Sequence, residues 1–189
     1  MFIGVIMLEN YIKVYENAIS EDLCNRLILL FNTKENFIRT FEGDTDYYKF
    51  NEVMLTEEQD SGLMDEIYTI CEKFKNQYLK ECRLQYSPKY YSYEFIRIKK
   101  YENNNLDKFG KHVDCFDPTS GQRFLAFLFY LNNIDKGGET EFFDTAKKII
   151  KPKMGSLLIF PPTFLYPHIG HKPISSIKYI MSTYSHYAS

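Results

Sequence analysis

Two short stretches of this chain hold residue types that bind metals. In Phe109-Gly110-Lys111-His112-Val113-Asp114-Cys115-Phe116, an imidazole and a carboxylate stand two positions apart. On extended backbone, successive side chains point to opposite faces, so His112 and Asp114 point the same way. Side by side they make half a metal site. Later in the chain, Tyr166-Pro167-His168-Ile169-Gly170-His171 can supply a second imidazole, from His168 or from His171. Two histidines and one carboxylate on one side of a metal, with the other positions open, suit a non-haem Fe(II) that handles dioxygen. No sulfur closes a fourth position, so iron fits better than structural zinc. A His-x-Asp triplet by itself is common, and the weight rests on what else the chain provides.

Those residues need elements to hold them. Tyr11 to Tyr15 alternates and predicts a strand. Ser20 is placed to cap a helix, with Glu21 and Asp22 in its first turn and Leu23, Leu27, Leu30 and Phe31 along one face. Residues 32–51 show no clear period, and Asp44 to Tyr48 reads as a surface loop. Thr56-Glu57-Glu58-Gln59 has capping-box form. Leu63, Ile67, Ile70, Phe74 and Tyr78 then recur at helical spacing, and the pattern stops before Ser87-Pro88. From Tyr90 the character changes to strands. These are Tyr93–Tyr101, the apolar run Arg123–Leu131, a strand after Gly137-Gly138, Ile149-Ile150, Gly155–Phe160 and Lys178–Tyr184.

Short strands separated by turn signals predict a sandwich or barrel. The expected fold class is α+β, mainly β: a double-stranded β-helix (jelly roll) with N-terminal helices packed on the sheet. Residues 1–189 read as one domain, with 1–89 as a supporting region and 90–189 as the catalytic core. No internal repeat or linker interrupts them.

Composition narrows the partners. Formal net charge is −2, so no overall basic field attracts nucleic acid or an anionic membrane. Met1 to Leu8 is apolar but too short to span a bilayer, and it lacks the basic region and cleavage site of a signal peptide. Cys24, Cys71, Cys82 and Cys115 form no C-x-x-C pair. A reduced, cytoplasmic protein is the expectation.

Several further segments fall in a telling order. His112-Val113-Asp114 is followed by Phe129-Tyr130-Leu131-Asn132, Gly137-Gly138-Glu139-Thr140, Lys153 to Phe160, His168 and Lys178-Tyr179. Over residues 93–186 this series resembles the 2-oxoglutarate- and Fe(II)-dependent dioxygenases, in particular the prolyl 4-hydroxylase-like group. The short form also looks like oxygenases encoded by bacteriophages and their hosts. The resemblance implies His112, Asp114 and His168 as iron ligands. His168 is preferred to His171 because in this family a basic residue follows the distal histidine by ten positions, as Lys178 does here. Lys178 would anchor the far carboxylate of 2-oxoglutarate, and Tyr101, Tyr130 and Ser182 would assist. Ser176 and Tyr184 stand where the family usually has Gly and Trp, which puts the subfamily in question and not the ligands.

The implied reaction consumes 2-oxoglutarate and O2, gives succinate and CO2, and hydroxylates an unactivated C–H bond; ascorbate would serve as an outside reductant. A prolyl residue in a peptide or protein is the first substrate choice, with other side chains and small metabolites open. Nucleic acid is disfavoured, because no basic-aromatic tract is present. Two other classes stay open at this point. A non-catalytic jelly-roll binding module would be marked by loss of a ligand or of the anchor, and neither is lost. A cupin-type metal enzyme would have no need of Lys178.

Overall fold

The computed structural model describes residues 7–34, 38–42 and 47–188. In chain order its elements are β1 (Lys13–Tyr15), α1 (Glu21–Thr33), β2 (Arg39–Glu42), β3 (Tyr48–Met54), α2 (Glu57–Glu81), β4 (Tyr91–Tyr93), β5 (Arg97–Tyr101), β6 (Lys108–His112), β7 (Arg123–Tyr130), β8 (Thr140–Phe142), β9 (Lys148–Ile150), β10 (Leu157–Phe160), β11 (His168–Gly170) and β12 (Lys178–Tyr187). The strands form one curled antiparallel sheet in the order β1-β10-β7-β12-β5-β3-β6-β11-β8-β9, with β2 added to β3 and β4 to β12. This is the expected jelly roll with two helices outside it.

Period-two alternation divides the central strands between two cores. Leu125, Phe127 and Phe129 of β7, Leu157 and Ile159 of β10, and Tyr179 and Met181 of β12 face the helices. Ala126 and Tyr130, Leu158 and Phe160, and Ile180 and Tyr184 face the barrel interior. The apolar run at Arg123–Leu131 is therefore a strand buried on both faces, as its unbroken hydrophobicity predicted.

Both helices lie where their patterns put them. Ser20 Oγ accepts a hydrogen bond from the Leu23 amide at 3.1 Å, and Leu23, Cys24, Leu27 and Phe31 are buried. At α2 the capping box is replaced. The Thr56 hydroxyl makes no cap bond, and the Asp60 carboxylate accepts instead from the Thr56 amide at 3.0 Å and from Lys34 Nζ at 2.5 Å. A charged carboxylate with a second partner outcompetes the neutral Gln59 amide. The buried stripe of α2 is Met64, Ile67, Cys71, Phe74 and Tyr78, with Leu63 and Ile70 at its half-buried edges.

The larger differences lie in strand content. Within residues 32–51, which show no clear period, lie strand β2 at 39–42 and the start of strand β3, which runs on to Met54. Their partners are distant, since β3 pairs with both β5 and β6. The first half of the chain thus builds part of the barrel wall. Tyr93–Tyr101 is broken into two strands. At the break the Glu94 carbonyl accepts from the hydroxyls of Thr183 and Tyr68, at 2.7 and 3.2 Å, and leaves the ladder. Residues 8–11 form a 3-10 turn, so β1 starts only at Lys13. Residues 1–6 of the apolar opening and residues 44–46 of the expected loop lie outside the described residues, while Tyr48, expected in that loop, opens β3. All four cysteine thiols are free, and Cys24 and Cys71 are buried as expected. No helix among the described residues is long and apolar enough to cross a membrane.

Gly155 joins the N-terminal region to the sheet. Its carbonyl accepts from the amides of Ala18 and Ile19, and its φ is +77°. A Cβ there would lie 2.6 Å from the Ile19 carbonyl oxygen. Left-handed backbone costs a non-glycine residue about 1–2 kcal/mol before any clash is counted. Gly155→Ala is therefore expected to lower stability by about 2 kcal/mol or more, read as a lower urea midpoint with unchanged slope.

Candidate metal centre and its cavity

The candidate ligands come from two strands and a short extension. β6 ends at His112 and β11 begins at His168, and the two residues are direct partners in the antiparallel register. Asp114 follows two positions after β6. One ligand atom from each of His112, Asp114 and His168 lies within 4.8 Å of the others. His112 Nε2 is 3.4 Å from Asp114 Oδ1, and His168 Nε2 is 3.7 Å from Asp114 Oδ2.

The imidazoles are oriented from behind. His112 Nδ1 is 2.7 Å from the Gly110 carbonyl, and His168 Nδ1 is 3.1 Å from the Tyr166 carbonyl. A carbonyl can only accept, so each Nδ1 carries the proton and each Nε2 lone pair faces the centre. Phe109 stacks on His112 at 3.7 Å, while Phe142 and Phe160 pack on His168. Burial pushes the His168 pKa down to about 4, against the opposing pull of Asp114. The ring is therefore neutral at physiological pH, which is the form that binds metal. Burial alone would raise the Asp114 pKa, but the neighbouring imidazoles and the Lys99 ammonium outweigh it and hold the carboxyl well below the ordinary carboxylate range. A buried carboxylate beside two imidazoles whose Nε2 atoms face the same centre fits a divalent cation.

Arg123 holds the Asp114 backbone. Its Nη1 donates to the Asp114 carbonyl at 2.6 Å, its Nε and Nη2 donate to Glu94 at 2.6 and 3.0 Å, and its guanidinium lies 3.9 Å from the centre of the Tyr184 ring.

Beyond the three ligands the barrel holds an inner cavity. Lys178, Ile180, Ser182 and Tyr184 alternate along β12 and all line it. Lys178 is 3% exposed, and among the described residues its Nζ has one hydrogen bond, to the Gly138 carbonyl at 2.7 Å. Gly138 takes φ +76°, which points that carbonyl inward. The Tyr101 and Tyr130 rings lie 5.4 and 5.9 Å from the same ammonium. The Tyr130 hydroxyl donates to Thr140 at 2.8 Å, whereas Ser182 Oγ is buried with no partner among the described residues. An ammonium with donors to spare and an orphaned hydroxyl fit an anionic guest with acceptor oxygens.

The structure thus places six of the seven sequence-selected residues on the lining of one cavity, while Tyr130 is buried behind it and touches the lining residue Thr140 through its hydroxyl. His171 is elsewhere: its Nε2 is 2.6 Å from Glu141 on a half-exposed surface. Sequence reasoning missed Arg123, Glu94, Thr140 and Lys99. Lys99 was within reach, because period two puts it on the same face of β5 as Tyr101. Arg123 and Glu94 meet only across the fold.

A barrel with a two-histidine, one-carboxylate cluster and a buried basic residue deeper inside is the architecture of the Fe(II)/2-oxoglutarate oxygenase class. Residues 96–186 match the family model described as the 2OG-Fe(II) oxygenase superfamily. Two Arabidopsis thaliana proteins are related in sequence. Probable prolyl 4-hydroxylase 9 is 32% identical over 90 residues, and prolyl 4-hydroxylase 2 is 29% identical over 177 residues. The matches cover 38% and 78% of this chain but only 31% and 55% of those relatives. A viral collagen prolyl hydroxylase from Paramecium bursaria Chlorella virus-1, solved as a 2OG complex, has the same fold. It superposes with TM-score 0.74 at 19% identity, over 94% of this chain and 97% of that one.

Arg123 fixes the carbonyl of the residue that offers the carboxylate, so its loss should be felt at the metal. Arg123→Met is expected to weaken divalent-metal binding about tenfold or more. Fe(II) or Mn(II) titration of the variant would measure it.

Proposed function

We propose that this protein is an Fe(II)- and 2-oxoglutarate-dependent dioxygenase that hydroxylates a prolyl residue of a peptide or protein, releasing succinate and CO2. The observation that carries the reading is the convergence of His112, Asp114 and His168 within 4.8 Å on the wall of a cavity whose depth holds a buried Lys178. A bound Fe(II) would supply the one-electron oxygen chemistry that side chains lack. The chain's own residues do the rest. His112, Asp114 and His168 would hold the ion. Lys178 takes the far carboxylate of 2-oxoglutarate, with Ser182 and the Tyr101 hydroxyl as further donors and Tyr130 held in place through Thr140. Phe109, Phe142 and Phe160 keep water from the imidazoles. The prolyl choice rests on the names of the relatives, and a reduced intracellular setting is consistent with the free thiols; ascorbate as outside reductant is carried by the family resemblance alone.

Anaerobic titration with Fe(II) and 2-oxoglutarate tests the class. The charge-transfer absorption of the chelate is expected in wild type and in His171→Ala, and is expected to vanish in His168→Ala. Iron binding without that absorption in wild type would remove 2-oxoglutarate from the scheme.

Lys178 also gives a pH signature. Burial pushes its pKa down to about 8, with Glu139 opposing. The charged form binds the dicarboxylate, so affinity should be level below about pH 8. It should fall by about tenfold per unit once the empty-site ammonium loses its proton. Titrations across that range would show it, and Lys178→Met should abolish both the affinity and its pH dependence.

A further inference from the structure

Lys99 is a cation whose field helps keep Asp114 ionised, but it is neither one of the candidate metal ligands nor the co-substrate anchor. It lines both the inner cavity and an outer groove of about 630 Å³ that opens over the metal ligands. Its side chain is 12% exposed, and its Nζ forms no hydrogen bond with any described residue. Glu52 sits directly opposite on β3, with Oε2 3.9 Å from Nζ, beyond hydrogen-bond range. The Phe50 and Phe109 ring centres are 5.0 and 5.7 Å away. Charge and rings hold the ammonium in place, but its N–H donors lack acceptors.

The groove's two arginines are committed. Arg123 spends its donors on Glu94 and the Asp114 carbonyl, and Arg97 bonds Glu94 and the Phe95 carbonyl. Phe41, Tyr47, Tyr48 and Phe116 make the other walls largely aromatic. The groove's volume lies within the range of about 300–1,000 Å³ that encloses drug-sized ligands, more than one free amino acid requires. The acceptor Lys99 lacks must come from what enters. A second carboxylate there would face Glu52 across the ammonium and be repelled, whereas a neutral carbonyl satisfies an N–H without adding charge.

We infer that Lys99 is a specificity residue: its ammonium donates to a backbone carbonyl of a peptide lying in the groove, beside the residue presented to the metal centre. This rests on the oxygenase reading above and names the group it recognises.

The test uses the Fe(II)-loaded protein and three probes: an oligoproline peptide blocked at both ends, the same peptide with a free carboxyl terminus, and free proline. Lys99→Met is expected to raise KM for the blocked peptide about tenfold or more, the scale of a lost hydrogen bond to a charged group. The affinity of the anaerobic 2-oxoglutarate chelate should not change, and Lys99→Arg should recover part of the loss. Glu52→Gln should improve the standing of the free-carboxyl peptide relative to the blocked one. An unchanged KM in Lys99→Met overturns the inference. So does a lost chelate, which would give Lys99 to the co-substrate or the fold. A wild-type preference for free proline overturns it as well. A wild type that forms the chelate yet hydroxylates none of the probes removes the peptide assignment alone, whereas a missing chelate removes the oxygenase reading itself.

Discussion

The pairing of β6 with β11 sets His112 opposite His168, and the chemistry proposed for this protein depends on that register. Facing residues of an antiparallel pair carry their side chains about 4.5–5.5 Å apart, close enough for two imidazoles to share one ion. A slip of one residue would turn β11's side chains to the other face and take His168 out of the cavity. The register is secured from both sides. Phe142 of β8 faces His168 across the next ladder, and the Gly110 and Tyr166 carbonyls fix the two rings.

Charge inside a barrel is costly, and the fold meets that cost locally. Asp114 has two imidazoles beside it and Arg123 on its carbonyl. Lys178 has the Gly138 carbonyl and two tyrosine rings. Each arrangement falls short of saturation in the direction of the cavity, so the buried charges remain available to ligands. The glycines at 137 and 138 belong to this design, since their backbone freedom lets a carbonyl turn inward at the depth of Lys178.

The N-terminal half is more than support. Helices α1 and α2 cover one face of the sheet, as their apolar stripes required. Strands β2 and β3, in contrast, line the groove with Phe41, Phe50 and Glu52. Residues 39–42 and 48–51 showed no clear period because strands that pair at long range need no helical or strict two-residue pattern of their own. Their aromatic side chains pack against one another on a concave wall, as Phe41 does on Phe50 and Phe50 on Tyr101.

What the sequence determined by itself was local. A two-residue spacing turned His112 and Asp114 to one side. Period two placed Lys178 and Ser182 on one face, and apolar stripes made the helices. Each follows from the geometry of neighbouring residues on one element. The tertiary structure brought His168, which the spacing to Lys178 had favoured over His171, opposite His112, a meeting of strands 56 positions apart in sequence. It also decided that Arg123 reaches both Glu94 and the Asp114 carbonyl, and that Lys99 and Glu52 face each other at the groove. Those contacts join residues that no local period relates, and only the closing of the sheet brings them within reach.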